Sequence, residues 1–203
     1  MNSEVEFNRR KIEIEEYLFH LHDQETQIGI SVTLMNTMKS SALIMLYNLV
    51  ESTMTNILQD VFDHLESKEI DFVALNEPMK ELILQYCKKK NPRKIVGKMT
   101  SENVSMVVAS FDRSDVFSGN IDAKIIRETL KSFGVKLNGN YDEPTLLTVK
   151  KERNDLAHGE LSFSDCGKKY SAKDLTDYHS KTCTILNRAI SDFNNYLALG
   201  DYA

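Results

Sequence analysis

The residues from Ser31 to about Glu66 constrain the fold of this chain most strongly, because they predict a single long helix. Its middle, Ala42 to Val50, reads ALIMLYNLV and is apolar almost all round. A helix that is apolar on nearly every side is buried by other elements. The chain therefore needs further helices around this one, and its 203 residues are enough for one domain of that kind.

Helical patterns on both sides of this segment supply the partners. Apolar residues recur at helical spacing over residues 4–24, and a second pattern runs from Pro144 to about His158, followed by Gly159. Ser171 and Asp174 resemble a capping box that opens a last helix, which ends at Leu199–Gly200. We therefore predict an all-α, up-down helical bundle.

The remaining residues predict additions to this bundle. Residues 67–121 form a mainly helical insertion between the second bundle helix and the helix from Pro144, and the whole chain, 1–203, is expected to be a single domain. A short helix is predicted from Asp122, its N-cap, to Gly134. Residues 160–170, ELSFSDCGKKY, predict a loop or a small hairpin.

Charge and cysteine content limit the classes of function. A dedicated, sequence-independent nucleic-acid binder is normally basic, whereas the formal net charge here is −5, so any contact with nucleic acid must be local or follow from assembly. The three cysteines are widely spaced and predict neither a disulfide framework nor a zinc knuckle. The first ten residues are polar and predict no secretory signal. We expect a cytoplasmic protein without membrane contact.

The stretch KKERNDLAHGELSF, residues 150–163, carries the most suggestive side chains. Arg153 offers a planar fork of donors that suits a phosphate, and His158 can transfer a proton near neutral pH. Asn154 is placed to orient one of them or the phosphate. The alternative is an ordinary solvated helix end, at which arginine, aspartate and histidine are all common.

The number of proton-transferring groups that RNA cleavage requires connects this motif with the assembly of a dimer. Cleavage of RNA by its 2′-hydroxyl requires one group that removes a proton and another that delivers one. The motif supplies one histidine per chain, so two copies that meet across a two-fold axis would supply the two groups. We therefore link catalysis to a homodimer.

The motif RNDLAHG resembles the signature of the HEPN superfamily (higher eukaryotes and prokaryotes nucleotide-binding): an arginine, a polar residue, and a histidine four to six positions after the arginine. The blocks LYNLVEST (46–53), FSGNIDAKIIRETLKSFG (117–134) and KKERNDLAHGELSFSDCGKKY are similar to one bacterial branch, found beside restriction and other defence genes. Together these blocks span much of residues 42–170.

This resemblance implies a helical bundle, a dimer and a metal-independent endoribonuclease that acts as a toxin, an abortive-infection protein or another anti-phage defence effector. The expected products are 2′,3′-cyclic phosphate and 5′-hydroxyl ends, and no cofactor is expected. An antitoxin or another defence protein is a possible partner. The alternative is a non-catalytic module that binds a nucleotide, RNA or a partner chain. A small-molecule enzyme unrelated to this superfamily is the third hypothesis, which no Gly-rich phosphate loop supports.

Residues of the long helix and a set of basic and aromatic side chains could support the motif. On the long helix, Asn48, Glu51 or Ser52, and Thr55 form a polar seam, and we expect Glu51 to pair with Arg153 or to face water at a helix edge. Basic and aromatic residues that could bind RNA, or simply be solvated, are Lys150, Lys151, Lys168, Lys169, Tyr170, Lys88, Lys89, Lys90, Arg93, Lys94 and Lys98. The other histidines, His20, His22, His64 and His179, have no metal-ligand spacing, and no metal site is predicted.

Overall fold

The computed structural model describes residues 1–25, 29, 31–113, 117 and 119–203, and every regular element in this part of the chain is helical. A 3-10 turn covers Phe72–Ala74. The all-α prediction is confirmed. The helices are α1 (Asn2–Glu25), α2 (Val32–Ser67), α3 (Glu77–Lys89), α4 (Pro92–Ser101), α5 (Met106–Ser110), α6 (Ala123–Ser132), α7 (Pro144–Ala157), α8 (Phe163–Gly167) and α9 (Ala172–Leu199).

Helix α2 lies at the centre of the bundle, and α1, α7, α8 and α9 pack around it. Leu43, Leu46 and Met54 of α2 are completely buried. Burial of an aliphatic side chain of this size contributes about 1.5–3 kcal/mol to folding, which explains why the apolar middle of this helix organises the fold. The predicted long, buried helix is confirmed, with Ser31 at its N-cap position.

The ends of the outer helices are fixed by polar contacts. The buried carboxylate of Asp60 in α2 accepts hydrogen bonds from the backbone N–H groups of Asn2 (3.2 Å) and Ser3 (2.8 Å), which satisfies donors that the first turn of α1 leaves unpaired. Ser171 and Asp174 form the predicted capping box of α9. The first contact fixes the start of α1 against α2, and the second fixes the residue at which α9 begins.

The predicted insertion contains α3, α4 and α5. Asn76 and Asn91 cap the first two of these helices through their side chains, and each helix carries a proline in its first turn. Phe111 stacks on Phe62 of α2 with ring centroids 4.1 Å apart, so the segment shares the core of the bundle. Residues 114–116 and 118 of this segment lie outside the described residues, and its limits at 67 and 121 stay a prediction.

The region 160–170 differs from the predicted loop or hairpin, because it contains the short helix α8. Ser162 caps this helix by accepting a hydrogen bond from the Asp165 N–H. Gly167 packs so closely on α2 that an added Cβ would lie 1.8 Å from the Asn36 carbonyl oxygen. The sequence pattern missed this helix because it spans only Phe163–Gly167 and depends on the contact with α2.

Helix α7, which carries the motif, is fixed at both ends. Glu143 caps its start by accepting a hydrogen bond from the Thr145 N–H. Just before it, the Tyr141 hydroxyl donates to the buried Asp192 carboxylate of α9 at 2.7 Å, which ties the preceding loop to the bundle. The helix ends at Ala157 with His158 as its C-cap, and Gly159 follows with φ of 71°, as a helix-terminating glycine requires.

None of the described helices combines the length and apolar character needed to cross a bilayer.

Candidate active site

Four groups surround the guanidinium of Arg153. The guanidinium carbon lies 4.5 Å from the centroid of the buried Tyr47 ring. Nη1 donates to Asn154 Oδ1 at 3.0 Å and to the Gly119 carbonyl oxygen at 3.4 Å, and Nη2 lies 3.9 Å from Glu51 Oε2. The side chain is still 27% exposed, so it is held in place while remaining accessible to a ligand.

Gly119 makes this arrangement possible. Its φ of 76° is unfavourable for other residues, and a Cβ at this position would lie 3.0 Å from Arg153 Nη1. Glycine therefore allows the loop backbone to approach the guanidinium without displacing it. Neighbouring Asn120 contributes its side chain, whose Oδ1 accepts a hydrogen bond from Asn154 Nδ2 at 3.1 Å.

Asn154 thus links the motif helix with this loop, since its amide both accepts from Arg153 and donates to Asn120. Tyr47 adds a second link, because its hydroxyl accepts a hydrogen bond from the buried Ile121 N–H at 3.1 Å. Burial raises the pKa of the Tyr47 phenol, so it stays neutral at physiological pH. Three elements, α2, α7 and the loop before α6, therefore converge on Arg153.

His158 lies at the exposed C-terminal end of α7. Its backbone N–H continues the helix by donating to the Asn154 carbonyl at 2.9 Å, but its imidazole makes no hydrogen bond within the described part of the chain. The structure thus places the histidine at the rim, free to contact a ligand or another chain. It records no contact between the side chains of Arg153 and His158.

The predicted polar seam of α2 lines a cavity of about 620 Å³. Asn48, Glu51, Ser52 and Thr55 form one wall, so both Asn48 and Glu51 lie beside this cavity. Glu51 also approaches Arg153, and therefore the cavity adjoins the motif. The volume lies within the range typical of small-ligand sites.

Glu152 is a buried carboxylate that the sequence reasoning did not single out. Lys169 Nζ donates to both of its oxygens at 2.9 and 3.0 Å, the Tyr170 hydroxyl donates to Oε1 at 3.0 Å, and Cys166 Sγ lies 3.2 Å from Oε2. Burial alone would raise the pKa of Glu152, but these hydrogen bonds outweigh it and lower the pKa. Burial raises the pKa of the Cys166 thiol to about 11, which leaves it protonated.

The residues predicted to bind RNA near the motif fall into two groups. Lys169 and Tyr170 are bound to Glu152, and Lys150 forms an ion pair with Asp122, the N-cap of α6. Burial of Asp122 opposes its ionisation, but the hydrogen bonds from Lys150 and the α6 backbone lower its pKa. The exposed group is Lys151, together with Lys168, which pairs with Asp165 on the surface at 2.7 Å.

The basic residues of α3 and α4 surround a separate cavity of about 280 Å³. Lys90 contacts Asp112 there at 3.4 Å, while Lys88 and Arg93 are exposed nearby in the chain. The described structure therefore does not bring these residues into contact with Arg153. The residues that line this cavity include Lys89, Lys90, Asn91, Lys94, Lys98 and Asp112.

Several site residues escaped the sequence reasoning for a common reason. Tyr47 and Asn120 are distant from Arg153 in the chain, and each has an ordinary role in its own element. The helical pattern of α2 and the glycine of the loop were visible, but only the packing shows that both face Arg153. Among the described residues, no group of three or more His, Cys, Asp or Glu side chains is arranged to hold a metal ion.

Comparison with protein families gives one match. A family model described as HEPN_MAE_28990-like HEPN matches residues 1–202, a range that includes the motif helix and residues 67–121. Neither a curated protein nor a solved structure matches the chain.

Proposed function

The chain belongs to the HEPN_MAE_28990-like HEPN family, and on this premise we propose that it is a metal-independent endoribonuclease with an active site completed in a homodimer. The observation that carries this proposal is the state of Arg153, which three elements hold in place although its guanidinium stays accessible. Such a preorganised cation is suited to a phosphate, because little ordering remains to be done on binding. Membership of the family supports a function related to nucleotides or RNA.

The proposed reaction is transesterification within the RNA strand. One His158 imidazole removes the proton of the 2′-hydroxyl, and the 2′-oxygen forms a bond to phosphorus. The bond from phosphorus to the 5′-oxygen breaks, and a protonated His158 imidazole delivers a proton to that oxygen. The products are a 2′,3′-cyclic phosphate and a 5′-hydroxyl. Arg153 binds the non-bridging oxygens, where negative charge increases in the transition state, and Asn154 orients the guanidinium.

The dimer follows from the need for two proton-transferring groups. His158 is exposed at a helix end and makes no hydrogen bond within the described residues, which suits a side chain that meets a second copy. A two-fold axis near this helix end would bring two His158 and two Arg153 side chains to one scissile phosphate. We propose that the separate chains lack a complete site.

The biological role that best fits this activity is that of a toxin or an anti-phage defence effector. The support is the resemblance of the blocks at residues 46–53, 117–134 and 150–170 to the bacterial branch encoded beside defence genes. Unregulated RNA cleavage harms the host, so we propose that a cognate antitoxin or another defence protein restrains the enzyme. We propose that it acts in the cytoplasm, where its RNA substrates are found.

A non-catalytic module is the second candidate function, because the charge of the protein favours it. The net charge is −5, and Lys150 and Lys169 are engaged in ion pairs within the fold. A protein of this charge has weak long-range attraction for RNA. In this function, Arg153 binds a nucleotide or a partner chain without turnover.

The decisive experiment incubates the purified protein with total RNA in the presence of a chelator. We expect cleavage with 2′,3′-cyclic phosphate and 5′-hydroxyl ends, and its loss in Arg153→Ala and His158→Ala variants. Arg9→Ala is a matched control, since Arg9 is an exposed arginine whose ion pairs join only Glu6 and Glu13 of α1. Full cleavage by His158→Ala would contradict the mechanism, and stable RNA with every preparation would favour the binding module.

A further inference from the structure

The 620 Å³ cavity beside the motif contains two arginines that the proposed reaction does not use. Arg10 enters it from α1, and Arg113 enters it from the residues that follow α5. The opposite wall is the polar face of α2, including Glu51, which also approaches Arg153. Three elements that are distant in sequence thus place two further cations next to the proposed scissile-phosphate site.

The Arg10 guanidinium has little local compensation. Its Nε is buried, makes no hydrogen bond within the described residues, and lies 3.9 Å from Glu6 Oε2. That same Glu6 oxygen accepts two hydrogen bonds from Arg9, at 2.7 and 3.3 Å, so it is already engaged. The side chain as a whole is 38% exposed, so the part of Arg10 that faces the cavity is open to a ligand although its Nε is not.

The carboxylates that line the cavity are shared with cations outside it. Glu51 Oε2 lies 3.9 Å from Arg153, and Asp112 lies 3.4 Å from Lys90. Arg113 is held by a neutral group, since its Nη2 donates to Asn56 Oδ1 at 2.6 Å. This contact orients the guanidinium and leaves its positive charge uncompensated by a hydrogen-bonded carboxylate among the described residues.

We propose that this cavity is a second phosphate subsite, in which Arg10 and Arg113 bind the phosphate of a nucleotide that neighbours the scissile one. The inference rests on the proposed ribonuclease function and adds the direction in which the RNA strand leaves the site. Arginine suits this task because its planar donors match phosphate oxygens in pairs. A single-stranded polyanion is the ligand class that engages Arg153 and this cavity at once.

Asp112 marks the boundary between this cavity and a second one. This residue lines both the 620 Å³ cavity and the basic 280 Å³ cavity of α3 and α4. The two cavities therefore adjoin at an acidic residue, whose carboxylate lies 3.4 Å from Lys90 Nζ.

Binding measurements test the subsite without depending on catalysis. The probe is a fluorescent single-stranded 2′-O-methyl oligouridylate, which cannot be cleaved because its 2′-oxygen is blocked. We measure its affinity for the full chain over a range of salt concentrations. We expect Arg10→Gln and Arg113→Gln each to weaken binding several-fold and to reduce the slope of log K against log salt by about 0.7, as expected for one lost phosphate contact to a single strand.

Two controls define the outcome. Arg9→Gln removes an arginine next to Arg10 on the outer face of α1, and should bind as the wild type does. Arg113→Lys retains the charge and should recover most of the affinity if Arg113→Gln is too unstable to purify. Wild-type affinity and slope in both glutamine variants, or an equal loss in Arg9→Gln, would overturn the subsite.

The result also separates this inference from the proposed function. Binding that depends on Arg10 and Arg113 in a protein that cleaves no RNA would support the subsite and refute the nuclease. Cleavage together with unchanged binding in the two variants would refute the subsite alone. If the wild type does not bind the probe, the subsite is overturned, whatever the protein does to other substrates.

Discussion

The guanidinium of Arg153 lies over the face of Tyr47, with its central carbon 4.5 Å from the ring centroid. An aromatic face attracts a cation through its quadrupole, by about 0.5–2 kcal/mol depending on solvent exposure. The same ring carries the hydroxyl that accepts the Ile121 N–H. Tyr47 therefore supports the Arg153 side chain and also anchors the loop that carries Gly119 and Asn120.

Substitutions of Tyr47 should separate these two roles. Tyr47→Phe keeps the ring and leaves the buried Ile121 N–H without its acceptor, so we expect a loss of about 1–3 kcal/mol in the free energy of unfolding with cleavage largely retained. Tyr47→Leu removes the ring as well and should reduce cleavage. Urea unfolding and RNA cleavage at equal concentrations of folded protein measure both effects. An equal loss of cleavage in the two variants would contradict a supporting role for the ring.

Gly119→Ala should disturb Arg153 directly. The new Cβ would lie 3.0 Å from Arg153 Nη1, and alanine at a φ of 76° costs about 1–2 kcal/mol. Gly200→Ala is the matched control, because Gly200 has φ of 71°, nothing within 4 Å of a Cβ, and a position at the end of α9. We expect a similar loss of stability in both variants, but a loss of RNA cleavage only in Gly119→Ala.

Glu152 should contribute to stability in a manner that depends on pH. Its pKa is lowered in the folded protein, so its contribution is present above the unfolded value of 4.5 and is lost as pH falls through the lower folded pKa. We expect Glu152→Gln to lower the free energy of unfolding near pH 7 by about 1–3 kcal/mol, because Lys169 loses its charged partner. Unfolding curves from pH 7 to acid should show a shallower decline for the variant, and parallel curves would contradict the assignment.

The same contacts distinguish a lysine near the motif that is available to RNA from one that stabilises the fold. Lys151 is exposed and forms no ion pair with a described residue, so Lys151→Gln should weaken RNA binding while leaving stability unchanged. Lys169→Gln removes the partner of Glu152 and should lower stability first. Salt-dependent binding and thermal unfolding of both variants test this. An RNA-binding defect in Lys169→Gln alone would reverse the interpretation.

The sequence predicted the bundle because helical periodicity and helix caps depend on residues that are close together in the chain. The burial of α2 was visible in its all-round apolar middle, and the capping box of α9 in Ser171 and Asp174. The sequence shows which side chains are available to surround Arg153. It does not show that Tyr47 and Asn120 lie against α7, because no local pattern predicts that contact. The same limit concealed Glu152, whose buried charge is stabilised by Cys166 of α8 and by Lys169 and Tyr170, which follow that helix.

The proposed homodimer leads to the last prediction, which concerns mixtures. If one cleavage needs His158 from both chains, an excess of His158→Ala protein should capture wild-type chains in inactive pairs and lower the activity at constant wild-type concentration. Cleavage per chain should also rise with protein concentration, because dilution separates the pairs. Gly200→Ala protein at the same excess is the control, since it retains both site residues. If neither the excess of His158→Ala protein nor dilution changes the activity, a single chain holds a complete site. A second proton-transferring group would then have to lie within the same chain as His158.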